Sequence, residues 1–326
     1  MNKQTQLSLL KWFHTNKREM PWRENPTPYR VWISEIMLQQ TTVATVKEFY
    51  LRFIEKFPTL EKLSKANEDE VLLLWAGLGY YSRAKNILKT AQLLQKEDQI
   101  PSEFEELKKL PGIGPYTAGA VSSIAFNKPV SLIDTNVDRV LGRFFTLDRQ
   151  DKDFEQILRS KAQLLIETVP TEEFWAWNQA IMELGALVCM LKSAECDDCP
   201  LKLSCGAYRS GEPWKFPGNK VKSKIESITE YALIIKKKDN YLISKITSGT
   251  RRRGLYDFPI VNTKIGEKID RVSYRISNNK VERIFCLVDE ADYKSSLDDV
   301  WVNKNNFSEK YALVSPCKKF FLKICK

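Results

Sequence analysis

The chain has 326 residues, 43% of them apolar, and a formal net charge of +10. That length suits one large domain or two ordinary ones with packed cores, and no apolar run is long enough to span a bilayer. The charge suits a polyanionic partner, although a lysine-rich composition explains it equally well. The only histidine, His14, leaves histidine-based catalysis almost nothing to work with. Any catalysis therefore rests on carboxylates, lysine, tyrosine or a metal.

The N-terminal MNKQTQLSLLKWFHTNK reads as an amphipathic helix without the apolar core or cleavage site of a secretory signal. A cytoplasmic protein is expected, nucleoid-associated if bacterial. Helical periodicity recurs over 5–18, 28–40, 42–57, 68–76, 80–96, 103–110, 116–126, 136–145, 153–167 and 172–189. A helical domain over 1–208 is expected. The stretch 209–228, rich in proline, glycine and lysine, reads as a linker. From 229 to 326 the pattern becomes that of a smaller α+β domain. There 231–235 and 241–246 flank KKKDN as a hairpin, and 281–288 is a third strand.

Three features carry chemistry. The first is Thr27-Pro-Tyr-Arg-Val-Trp-Ile-Ser-Glu35, a helix opening with Pro28 at its first position. Glu35 shares a face with Val31, Trp32 and Leu38. A carboxyl on an apolar face loses solvation and its pKa rises, which suits a general acid. A Glu held by a buried Arg or a helix end is the alternative.

The second is Leu110-Pro-Gly-Ile-Gly-Pro-Tyr116, lying between two predicted helices. Gly112 and Gly114 let backbone N–H groups approach a phosphate at the start of the following helix, the logic of helix–hairpin–helix DNA binding. A plain turn between helices is the alternative. Just beyond lies Ile133-Asp-Thr-Asn-Val-Asp138. Thr135 and Asp138 have the spacing of a helix cap, which would leave Asp134 free for other work.

The third is Cys189, Cys196, Cys199 and Cys205, spaced C-x6-C-x2-C-x5-C within the loop 189–205. Four thiolates this close can surround one metal centre, either a zinc ion or a cubane iron–sulfur cluster.

Taken together, these motifs resemble the iron–sulfur branch of helix–hairpin–helix DNA glycosylases that includes endonuclease III. Pro21-Trp-Arg23, Ser34-Glu-Ile-Met-Leu-Gln-Gln-Thr41 and Gly77-Leu-Gly-Tyr-Tyr81 are similar to the MutY adenine glycosylases. The likeness is dense from about 20 to 205. It implies a mainly α, two-lobed glycosylase core with a 4Fe–4S cluster on the four cysteines, and a Nudix-like α+β C-terminal domain.

It also implies double-stranded DNA containing A opposite 8-oxoguanine or G as substrate. Glu35 would protonate adenine, and Asp134, with Tyr116 and Asn136 nearby, would stabilise the sugar cation. Arg23, Gly112 and Gly114 would contact DNA, and Gln40 and Tyr80 would wedge into the stack. Lys192 and Lys202 would sit near phosphate. Bifunctional relatives carry a lysine where Tyr116 stands, so a monofunctional enzyme is implied.

In the C-terminal half, Gly254-Leu-Tyr-Asp-Phe-Pro259 carries the likeness. The family's Phe-Ser-His loop corresponds to Ile276-Ser277-Asn278, which makes Ser277 and Asn278 the candidate readers of the opposite base. A monomer without membrane contact is expected, with repair or replication partners docking on the linker. A glycosylase of the same fold for a different mismatch or for damaged pyrimidines, and a non-catalytic DNA-binding module that senses iron or redox state, are the alternatives. Tyr116 argues against the first, and the pair Glu35 and Asp134 against the second.

Overall fold

The computed structural model describes residues 1–95, 97, 99–218, 225–249, 252–276 and 279–325. The chain forms two compact units. Met1–Ile54, Thr59–Glu61 and Leu93–Val221 make the first; Glu55–Pro58, Lys62–Gln92 and Lys222–Lys326 make the second. Lys62–Gln92 clusters with the C-terminal part, apart from the flanking stretches of 1–208. Among the described residues no helix is long and apolar enough to cross a membrane.

The first unit is helical. Its centre is the helix Phe174–Leu187, which packs against Lys3–Asn16, Thr135–Phe144 and Phe154–Glu167. Trp177, Ala180, Ile181 and Leu184 of this helix are almost fully buried. A helix that is apolar nearly all round belongs inside a core, so its polar members Asn178, Gln179 and Glu183, also buried, need partners. Pro28–Leu38 begins as expected, with Thr27 accepting from the Arg30 N–H and Pro28 at the first position. It ends at Leu38, two residues early, because Gln40 takes a positive φ of 56°. Pro115–Ala120 runs on through a π-helical turn, Val121–Ala125.

The second unit combines the helix Glu68–Trp75 and most of Ser82–Leu94 with, among the described residues, eight strands. These are β1 (Glu226–Ile234), β2 (Lys236–Lys237), β3 (Asn240–Lys245), β4 (Tyr256–Asp257), β5 (Ile260–Val261), β6 (Glu267–Ile276), β7 (Asn279–Leu287) and β8 (Asp299–Asn303). One sheet has the order β5-β1-β7-β6, with β1 parallel to β7. In the other, β3 pairs with β2, β4 and β8. The expected hairpin is correspondingly shorter. Only β2 and β3 form it, while β1 leaves for the first sheet, since its buried Ala232, Leu233 and Ile234 are needed there.

Gly254 ties strands to helices in this unit. Its φ of 86° favours glycine, and a Cβ there would lie 2.8 Å from Glu68 Oε1 and 2.9 Å from Lys85 Nζ, so those side-chain ends would have to move. Lys245 Nζ reinforces it with an ion pair to Asp69 at 3.0 Å. Beneath the sheets Phe258, Phe285, Phe307, Phe320 and Phe321 stack or meet edge to face.

Arg283 of β7 is fully buried and donates two 2.8 Å hydrogen bonds to Asp257 and one of 2.7 Å to Glu230. Tyr274 also donates to Glu230. Removing this cation would leave the buried Asp257 and the partly buried Glu230 with only the longer Arg252 contacts, at 3.8 and 3.6 Å. Arg283→Met is therefore expected to cost about 3–5 kcal/mol in a urea denaturation experiment at pH 7.

Candidate active site

Glu35 sits on Pro28–Leu38 between the buried Val31, Trp32 and Ile36, and is itself 5% exposed. Tyr116, in the first turn of the helix Pro115–Ala120, donates a 2.7 Å hydrogen bond to Glu35 Oε2 and approaches Met182 Sδ at 3.7 Å. Asp134 lies where an extended segment meets the helix Thr135–Phe144. All three residues, with Asn136, line one cavity of about 580 Å³. Residues separated by about a hundred positions in sequence thus meet at one opening.

Asp134 is not free of the helix. It is the N-cap: Oδ1 accepts from the Asn136 and Val137 N–H groups at 2.9 and 2.7 Å, and Oδ2 accepts from Asn136 Nδ2 at 2.9 Å. Its backbone is extended while Thr135 is already helical, so the cap falls one residue earlier than the T-x-x-D spacing suggested. Capping and chemistry are compatible here, because the N–H donors and the positive helix end favour an anion.

The two carboxyls differ in environment. Burial pushes the Glu35 carboxyl up to about 7, and the Asp134 charge adds to that rise, against the Tyr116 hydrogen bond and the Arg23 charge. Burial raises Asp134 as well, opposed by hydrogen bonds from Val137 and Asn136 and by the Arg139 charge. Tyr116 is held well above its usual range by burial and the two neighbouring carboxyls, so it stays a donor.

Arg23 belongs to the cavity wall. Its guanidinium bonds Gln179 Oε1 at 3.0 Å, Glu183 Oε2 at 3.1 Å and the Arg18 carbonyl at 2.9 Å. Arg18 also pairs with Glu183 at 2.7 Å. Burial works to raise the Glu183 carboxyl, but Arg18 and Arg23 outweigh it and hold it below the usual range. The sequence reading passed over Arg18, Gln179, Met182 and Glu183. The signal was there: polar residues four apart in the otherwise apolar FWAWNQAIMELGALV.

The hairpin residues Gly112 and Gly114 flank the buried Ile113, and Gly114 opens the helix Pro115–Ala120 with no atom within 4 Å of a Cβ position. Gln40 is exposed with a φ of 56°, and Tyr80 in the second unit is 45% exposed with a φ of 49°. Both expected wedge residues therefore occupy a strained backbone conformation. The Arg83 guanidinium lies 5.3 Å from the Tyr80 ring and donates to the Gly79 carbonyl at 3.2 Å. Ser277 and Asn278 lie outside the described residues.

Lys85, Lys108 and Lys128 are ion-paired with Glu68, Glu105 and Glu103. Among the described residues the one lysine on the cavity wall is Lys17, whose Nζ lies over the Phe13 and Trp175 rings.

Cys189, Cys196, Cys199 and Cys205 line a second, apolar cavity with Val140, Phe144 and Leu184. Among the described residues no three His, Cys, Asp or Glu side chains converge closely enough to hold a metal ion. Burial pushes the Cys199 thiol up to about 12 and raises Cys196 and Cys205.

Two arginines tie this loop to Thr135–Phe144. Arg143, 3% exposed, donates to Cys189 Sγ at 3.3 Å and to the Met190 carbonyl at 2.8 Å. Arg139 donates to the Cys189 carbonyl at 2.8 Å and to Asn136 Oδ1 at 2.8 Å. Lys192 is exposed, whereas Lys202 pairs with Asp197 at 2.6 Å.

Residues 33–163 match the family of HhH-GPD superfamily base excision DNA repair proteins. The adenine DNA glycosylase of Buchnera aphidicola subsp. Schizaphis graminum is 39% identical over 263 residues, 79% of this chain and 75% of that protein. That of Buchnera aphidicola subsp. Baizongia pistaciae is 34% identical over 310 residues, covering 92% and 86%. Among solved structures, a thermostable thymine-DNA glycosylase aligns with a TM-score of 0.56 and 27% identity over 63% of this chain and 95% of its own. A non-covalent endonuclease III–DNA complex aligns with a TM-score of 0.54 and 27% identity, covering 65% and 98%.

Proposed function

This chain belongs to the adenine DNA glycosylase family, and from that premise we propose that it hydrolyses the N-glycosidic bond of adenine opposite 8-oxoguanine or G in double-stranded DNA. The observation that carries the reading is the pairing of a buried, Tyr116-bonded Glu35 with an N-capping Asp134 across one cavity. The mismatched adenine leaves the stack, at a cost of a few kcal/mol, and enters that cavity. Glu35, close to half-protonated at neutral pH, donates its proton to a ring nitrogen of adenine. The C–N bond then breaks, and its electron pair neutralises the protonated base.

The positive charge left on the sugar faces Asp134, whose anion is held by two backbone N–H groups and Asn136. Water adds to the anomeric carbon and gives up a proton, leaving an abasic site. The division of labour parallels sugar hydrolysis by two carboxyls in unlike environments.

Tyr116 occupies the position of the lyase lysine, and no sugar–amine adduct is expected. Lys17 is the amine that tests this expectation. A labelled duplex carrying one adenine opposite 8-oxoguanine, G, C or T should break only after alkali, and fastest opposite 8-oxoguanine. Cleavage without alkali would instead make the enzyme a lyase. An absence of cleavage at adenine would remove the reading altogether.

We infer that the four cysteines hold a 4Fe–4S cluster. They line one apolar cavity together, and four cysteine thiolates are the ligand set that a cubane cluster takes. Buried thiols with raised pKa values need a strong cation to stay ionised. The cluster, when bound, would fasten the loop 189–205, and Arg143 would donate to a ligating sulfur. Purified protein should contain iron and acid-labile sulfide in equal amounts and no stoichiometric zinc. Cys199→Ser should lose both iron and sulfide.

A further inference from the structure

The backbone that delivers Asp134 to the cavity has no regular structure. Residues 129–134 form neither helix nor strand, so no ladder satisfies their backbone groups. Two side-chain amides do so instead, making four hydrogen bonds to the segment: Gln163 with the Pro129 carbonyl and the Ser131 N–H, Asn178 with the Val130 carbonyl and the Leu132 N–H. Gln163 comes from Phe154–Glu167 and Asn178 from Phe174–Leu187, so the segment is held from two helices.

Asn178 is 2% exposed and its amide also donates to Ser123 Oγ at 2.9 Å, within the π-helical turn that follows the hairpin helix. That helix presses on the same segment. A Cβ on Gly119 would meet the Ser131 carbonyl oxygen at 3.0 Å and Leu132 Cβ at 3.2 Å.

We propose that Asn178 and Gln163 are positioning residues for the glycosylase reaction: together they clamp residues 129–132 and thereby set the placement of the Asp134 carboxylate opposite the reacting sugar. The inference rests on the reading of Asp134 as the group that stabilises the sugar cation. An Asp held at the end of a loose segment would still cap its helix, because the capping hydrogen bonds are local to 134–137. It would, however, wander relative to the hairpin, Glu35 and the bound nucleotide. Displacements of about 1 Å at a reacting centre can cost about a hundredfold in rate.

The test compares full-length Asn178→Ala and Gln163→Leu with the unaltered protein. Gln163 is only half-buried, so its variant keeps the question open to measurement even if Asn178→Ala fails to fold. Three readouts are taken: single-turnover excision, affinity for a duplex carrying a non-hydrolysable adenine nucleoside, and the ratio of affinities for duplexes bearing a protonated pyrrolidine or a neutral tetrahydrofuran in place of the sugar.

The expected result is a rate loss of about a hundredfold for Asn178→Ala and about tenfold for Gln163→Leu, with duplex affinity unchanged and preference for the cationic ring reduced in both. Gln163→Leu retaining both its rate and its cation preference would overturn the proposal, as would losses confined to duplex affinity. If the unaltered protein itself shows no preference for the cationic ring, the underlying reading of Asp134 is wrong and the clamp falls with it. That outcome is distinguishable because it is seen without any substitution.

Discussion

Glu35→Gln is expected to slow adenine excision by about a hundred- to ten-thousandfold, the range set by loss of a general acid, while duplex affinity stays unchanged. Gln keeps the size of the side chain and still accepts the Tyr116 hydrogen bond, so the cavity wall is preserved and only the transferable proton is removed. A pH series separates this role from a merely structural one. With a carboxyl titrating at about 7, the rate of the unaltered protein should fall as pH rises through neutrality, and that limb should vanish in the variant.

Stability should move in the corresponding sense. The folded-state value lies above the unfolded one, so the contribution of the neutral carboxyl is full below about 4.5 and is lost as pH rises through about 7. At pH 8 the buried ionised Glu35 would cost up to about 3 kcal/mol. Glu35→Gln should therefore melt higher than the unaltered protein at pH 8 and equally at pH 4. A rate loss with an unchanged pH profile would show that Glu35 is not the acid.

Asp134→Ser should retain the fold and lose about a hundred- to thousandfold in single-turnover rate. Serine is nearly as good an N-cap as aspartate, so the hydrogen bonds that begin Thr135–Phe144 can persist without the negative charge. Asp134→Ala removes both, and should add a stability loss of about 1 kcal/mol to the same rate defect. Thermal melts and excision rates of the pair then divide capping from catalysis. Should the serine variant keep its rate within about threefold, Asp134 would be a cap and nothing more.

Much of this site was legible because it is written in short-range patterns. Pro28 beside Thr27 announces a helix start, and the apolar neighbours of Glu35 announce its burial. The two glycines of the hairpin and the four clustered cysteines announce themselves by spacing alone. The same local reasoning erred at Asp134, where Thr135 and Asp138 imitate a cap one residue late. The competition between adjacent caps is decided by which residue is extended, and here Asp134 is extended while Thr135 is already helical.

The C-terminal hairpin erred for a related reason. Two apolar runs flanking a turn look like partners, yet β1 buries its Ala232, Leu233 and Ile234 in a different sheet.

By itself the sequence determined what is local: the helical character of the first two hundred residues, the acid on an apolar face, the hairpin, the close spacing of four cysteines and the family resemblance. Only the tertiary structure decided which distant groups meet. It brought Glu35, Tyr116 and Asp134 to one cavity, drew Arg23 onto Gln179 and Glu183, and hung residues 129–132 on Gln163 and Asn178. It also packed Lys62–Gln92 with the C-terminal strands. The physical reason is that periodicity and capping act over a few residues. Pairing of buried polar groups, by contrast, depends on which surfaces come together once apolar area has been removed from water.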